Sequence, residues 1–148
     1  MNLSEEISKV RSIFIDTAPI IYYIEAHPLF GSLTKTVVDI VRSSNFSVFT
    51  SVITLVEVLS KPIQMGREDL AREFKEFLRG GKDLTLIEIS VDIAERAGNL
   101  RGKYPSLKAL DAIQLATAFE IEADAFLTND EKLKKIEGLK ILVLKDYL

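Results

Sequence analysis

The stretch Ser12-Ile13-Phe14-Ile15-Asp16-Thr17-Ala18-Pro19 decides the fold class. Ser12 to Ile15 is too short for a helix and ends in an unbroken apolar run, as expected of a strand covered on both faces. An acid then opens a segment with proline near its start, which is how helices begin. A buried strand running straight into a helix is the building unit of a parallel sheet. Outward from this unit, Phe46–Phe49, Leu84–Ile89, Ala125–Leu127 and Ile141–Leu144 read as further strands. Pro19–Glu25, Leu33–Arg42, Ser51–Ser60, Arg67–Arg79, Val91–Lys103 and Leu107–Glu122 read as helices, and Glu131–Ile136 as a short one. The helix from Ser51 should stop before Pro62, because a residue preceding proline avoids helical angles. Gly80-Gly81 ends the helix from Arg67. Residues 1–148 read as one α/β domain, a central parallel sheet with helices on both faces. In such sheets sites form beyond the carboxyl ends of the strands, where the strand order switches.

Composition narrows the chemistry. The chain has 148 residues, 47% hydrophobic and 28% charged, ordinary values for a globular protein. It has no cysteine, which excludes disulfides, thiolate zinc sites, iron–sulfur clusters and cysteine nucleophiles. Its one histidine, His27, excludes two-histidine acid–base chemistry and the H-E-x-x-H zinc site, and reads as a surface or loop residue. The longest uncharged stretch, Ser43 to Val56, is 14 residues, short of the roughly 20 that a spanning helix needs. The first residues lack the basic start and apolar run of a signal peptide, so a soluble cytoplasmic protein is expected.

The net charge of −3 gives no general attraction for nucleic acid, but its distribution is uneven. Residues 61–108 carry 10 basic and 8 acidic side chains, whereas the segments on either side are net acidic. Most of these bases sit beside acids and read as solvated helix faces. Lys61, Arg101 and Lys108 are the candidates for phosphate contacts.

Four acids carry the functional argument. Asp16 directly follows the first strand, where it could cap a helix or face a cleft. Glu57 lies on a polar stripe, Ser51, Thr54, Glu57 and Ser60, on an otherwise apolar helix expected to be buried on most sides. The stripe faces either water or an internal cleft. Asp111 has Leu107, Leu115 and Ala118 as helical neighbours, so it sits in an apolar stripe and needs a cation to offset its burial. Asp130 follows the fourth strand, where Thr128-x-x-Glu131 fits a capping box. Each acid has a structural explanation of its own. Together, acids after strands and on cleft-facing helices would repel one another unless a divalent ion joined them. Hard oxygen ligands without His or Cys select Mg²⁺ or Mn²⁺, completed by water and substrate phosphate oxygens.

With these residues in place, the sequence resembles the PIN-domain ribonucleases, and within them the VapC-type toxins of toxin–antitoxin pairs. The resemblance rests on Phe14-Ile15-Asp16-Thr17, on Thr50 to Leu59, on Leu110-Asp111-Ala112-Ile113-Gln114-Leu115-Ala116-Thr117-Ala118, and on Ala123 to Asp130. It implies a three-layer α/β fold with the first and fourth strands adjacent. It implies that Asp16, Glu57, Asp111 and Asp130 converge on one metal pocket, with Thr128 and Asn129 as auxiliary residues. It also implies an RNA substrate, homodimerisation and a small antitoxin partner.

The expected reaction is Mg²⁺- or Mn²⁺-dependent hydrolysis of an RNA phosphodiester, with a metal-bound water as nucleophile. Asp16 and Asp111 are the first choices for direct ligands. Other metal-dependent phosphoesterases, a flap-type DNA nuclease and a non-catalytic binding module remain as alternatives. A D-x-D-x-T phosphatase pattern and a P-loop are both absent.

Overall fold

The computed structural model describes all residues, 1–148. Five strands form one sheet: β1 (Ser12–Ile15), β2 (Ser47–Ser51), β3 (Thr85–Ile87), β4 (Ala125–Thr128) and β5 (Lys140–Val143). Seven helices join or flank them: α1 (Leu3–Ser8), α2 (Thr17–Ile24), α3 (Gly31–Ser43), α4 (Val52–Gln64), α5 (Glu68–Arg79), α6 (Val91–Lys103) and α7 (Ala109–Glu120). Two 3₁₀ turns, Glu131–Lys135 and Leu144–Tyr147, flank β5. The strand order is β3-β2-β1-β4-β5 and every pairing is parallel. This is the expected three-layer α/β architecture, with the first and fourth strands adjacent.

The central strands are buried on both sides, which explains their unbroken apolar runs. Ile13 and Ile15 face one core with Ala125 and Leu127, against side chains of α1 to α5. Phe14 and Phe126 face the other, against α6 and α7. These two rings are register partners and stack 5.3 Å apart. Alternation along the strands thus sends successive residues into two separate cores. No helix is long and apolar enough to cross a membrane.

The chain departs from the sequence-based boundaries in informative ways. α4 runs through Pro62 to Gln64. Pro62 is buried, and the helix ends in a Schellman turn: Gly66 N–H bonds to Ile63 O, and Arg67 N–H bonds to Pro62 O. Gly66 supplies the positive φ, +68°, that this turn requires. The stop signal was therefore the glycine, and burial of the proline ring carried the helix past its preceding residue. Nor is α4 buried on most sides, since Val56 and Ile63 are 62% and 58% exposed. α2 starts at Thr17, two residues before Pro19, because Asp16 caps it. The sequence reading also lacked α1, whose signal is an Asn2–Glu5 capping box.

Candidate metal centre

The strand order switches at β1, which has β2 on one side and β4 on the other. All four acids come from segments that end at, or leave from, the carboxyl edge of these strands. Asp16 leaves β1, Glu57 is on the helix that leaves β2, and Asp130 follows β4. Asp111 is in the first turn of α7, the helix that precedes β4.

Asp16 is the best-defined member. As N-cap of α2 it accepts the Thr17 N–H at Oδ1, 2.9 Å away. Its Oδ2 accepts the Thr128 hydroxyl at 2.8 Å. Glu57 is exposed, but its Oε1 accepts the Thr17 hydroxyl at 2.7 Å. Thr17 therefore serves two acids, one through its backbone and one through its side chain. Asp130 accepts the Lys132 N–H at 3.0 Å, capping the 3₁₀ turn, while its own N–H donates to Thr128 Oγ1. The capping box expected at Thr128-x-x-Glu131 does not form. Asp130 takes the capping role, and Thr128 is turned to Asp16.

Electrostatics tie the four together. The Asp16 carboxyl stands raised at about 6: burial raises it most, the Thr128 and Thr17 hydrogen bonds lower it, and the charges of Asp111 and Glu57 add to the rise. Burial also raises Asp111, with Asp130 and Glu57 adding to the effect and Lys108 offsetting part of it. None of the chain's ion pairs involves any of the four acids. No arginine neutralises Asp111.

The other candidates have varied surroundings. Asn129 is buried, with both ends of its amide occupied: Nδ2 donates to the Tyr22 hydroxyl and Oδ1 accepts from the Lys145 N–H. It ties the end of β4 to α2 and to the last turn. Lys61 lines a groove with Glu57 between α2, α4 and α5. Lys108 sits at the N-cap of α7, while Arg101 donates its Nε–H to the Leu107 carbonyl. His27 accepts the Leu29 and Phe30 N–H groups and packs on Tyr22 in the turn before α3.

The polar stripe on α4 faces inward at one end. Ser51 and Thr54 are fully buried, and only Glu57 and Ser60 reach the surface. The sequence reading omitted Thr17 and Gln114 from the site. Their signals were a hydroxyl directly after Asp16 and a single amide inside the apolar run Ala112 to Ala118.

The donor chemistry fits a hard divalent cation: four carboxylates that repel one another, none in an ion pair, with only Lys108 partly offsetting the charge on Asp111. No three acids stand close enough to make a ready-formed cage. The expected convergence of all four acids on one pocket is therefore not formed here, and an ion would be held directly by one or two carboxylates with waters completing its shell.

The PIN domain family profile matches residues 13–139. The chain belongs to the PIN-domain family. Its fold is similar to a chain of the VapBC2 complex of Rickettsia felis, solved with a promoter DNA fragment. That match has a TM-score of 0.74 at 20% identity, over 89% of this chain and 98% of the other. A chain of a toxin–antitoxin complex from Klebsiella pneumoniae matches with TM-score 0.63 at 25% identity, over 89% and 97% of the two chains. VapC20 of Mycobacterium tuberculosis, a toxin that cleaves the sarcin–ricin loop, matches with TM-score 0.62 at 18% identity, over 77% and 86%. No curated protein sequence matches the chain.

Proposed function

We propose that this chain is a metal-dependent endoribonuclease and the toxin of a toxin–antitoxin pair. The observation that carries the reading is four acids at the carboxyl edge around the β1/β4 switch point, coupled pairwise by charge repulsion and engaged in no ion pair. Asp16 and Asp111 would hold Mg²⁺ or Mn²⁺ directly, with Glu57 and Asp130 bound directly or through water. The bound ion would lower the pKa of a water and offset charge on the phosphate. Thr128 and Thr17 hold Asp16 by hydrogen bonds to both oxygens, and Thr17 also holds one oxygen of Glu57. Lys61 and Lys108 are exposed near acids of the site and are the better placed of the three bases for phosphate contact. Arg101 has Nε committed to Leu107 and only its remaining guanidinium N–H groups to offer.

The toxin role rests on fold similarity to VapBC proteins, and an antitoxin is the partner it implies. Homodimerisation is what the resemblance to VapC-type toxins implies. As a toxin acting on cellular RNA it would work in the cytoplasm.

The test is cleavage of structured and single-stranded RNA with Mg²⁺, Mn²⁺ or EDTA, beside flap DNA and a small phosphoester. RNA cleavage that EDTA stops, and that Asp16→Asn and Asp111→Asn abolish without unfolding, is the expected result. Wild-type rates in both variants would place the chemistry elsewhere.

A further inference from the structure

Gln114 lies in the apolar middle of α7, 1% exposed, between Asp111 and the second core. Its amide joins a set of buried hydroxyls from three other elements. Ser51, at the end of β2, donates to Oε1. Nε2 donates to Thr54 Oγ1 at 2.8 Å and reaches Thr17 Oγ1 at 3.4 Å. Thr54 lies 2.8 Å from Thr50 Oγ1, and Thr50 donates to the Ile15 carbonyl at 2.8 Å. Thr17 donates to Glu57 Oε1 at 2.7 Å.

Thr17 Oγ1 also lies 3.1 Å from Thr54 Oγ1. Each hydroxyl has one proton to give, and with the Thr50, Thr54 and Thr17 protons on Ile15, Thr50 and Glu57 this contact carries none. Thr50 spends its proton on Ile15, so Thr54 must donate to Thr50. Thr54 Oγ1 is then an acceptor for Gln114, and so is Thr17, whose proton goes to Glu57. The two amide protons serve Thr54 and Thr17, and Oε1 receives the Ser51 proton. Reversing the amide fails: Ser51 would lose its acceptor, and Thr54 could not give its one proton to both Gln114 and Thr50. No buried side-chain polar atom is left without a partner in the arrangement found.

We propose that Gln114 is a positioning residue for the metal site. By donating to Thr54 Oγ1, the other acceptor within reach of the Thr17 proton, it leaves that proton to Glu57. Glu57 Oε1 is then held, while Oε2 stays free for a cation. The role rests on the metal-site reading above. It adds a residue that touches neither metal nor substrate.

The experiment measures Mn²⁺ binding to the full-length chain by calorimetry, with thermal melting in EDTA as the structural control. Wild type and Asp111→Asn test the site itself. Gln114→Met, Thr17→Val, Thr17→Ser and the Gln114→Met/Thr17→Val double variant test the relay. Gln114→Met and Thr17→Val should each weaken Mn²⁺ about 10-fold, the effect of losing an outer-shell contact. The double variant should lose no more than Thr17→Val alone, because both act through one hydroxyl. Thr17→Ser should bind close to wild type. Wild-type affinity in Gln114→Met, even with a lowered melting temperature, would make the residue structural only and overturn the proposal. Fully additive losses would also overturn it. Should Gln114→Met not fold, Gln114→Asn, which keeps an amide too short to reach Thr54, must show the loss, and normal binding there overturns the role. A wild-type chain with no saturable Mn²⁺ binding overturns the metal reading and this role together.

Discussion

The Thr128 hydroxyl donates to Asp16 Oδ2 at 2.8 Å, joining residues 112 apart in the chain across the seam between β1 and β4. The register sets Ile15 beside Leu127, so the residues that follow each leave the sheet edge side by side. Parallel pairing alone brings the hydroxyl to the acid. Thr128→Val keeps the shape and removes the donor. It should weaken metal binding and cleavage by about 10- to 100-fold. The fold should survive. Mn²⁺ titration beside a thermal melt checks both parts.

The metal-free site costs stability at neutral pH. The Asp16 carboxyl sits at about 6 in the folded chain against an ordinary 3.8. The folded state therefore binds this proton more tightly than the unfolded state. The contribution is most favourable below 3.8, declines as pH rises through the window and is fully lost above 6. In EDTA, Asp16→Asn should be more stable than wild type at pH 7 by at most about 2–3 kcal/mol. Asparagine is itself a good N-cap, so α2 keeps its start. The difference should shrink towards pH 4. Urea unfolding of both proteins at the two pH values measures it, and a gap that does not change with pH would contradict the assignment.

Two glycine-to-alanine changes should have opposite signs. Gly66 has φ +68° with nothing within 4 Å of an added Cβ, so only backbone conformation resists the change. Gly66→Ala should cost about 1–2 kcal/mol. Gly98, inside α6, also has open space but helical angles. Gly98→Ala should add about 0.5–1 kcal/mol by helix propensity. Denaturant midpoints of the two variants decide it.

The second core depends on the stacked pair Phe14 and Phe126, both fully buried. Phe14→Ala leaves a cavity under α7 and should cost about 3–5 kcal/mol. Because α7 carries Asp111 and Gln114, metal affinity should fall with it. Chemical unfolding and Mn²⁺ titration on the same preparation test the coupling.

The amino-acid sequence by itself determined the alternation of buried strands and helices, the absence of Cys and His chemistry, and the four acids. These depend on residue type and on spacing over a few neighbours. The unbroken Ile13-Phe14-Ile15 run or the apolar stripe around Asp111 can be seen without knowing what packs on them. Where local rules competed, the outcome was open. Pro62 should have ended α4, but burial of its ring overrode the angle preference of the residue before it, and Gly66 set the end.

Tertiary structure alone decided which partner each polar group took. Thr128 could have capped a helix and was turned to Asp16. The stripe from Ser51 to Ser60 could have faced water and was split, with its first half buried on Gln114. Those choices depend on the parallel register and on helices meeting from segments 37 to 112 residues apart. A hydrogen bond is set by the position of both atoms, and only the packed sheet brings the second one into place.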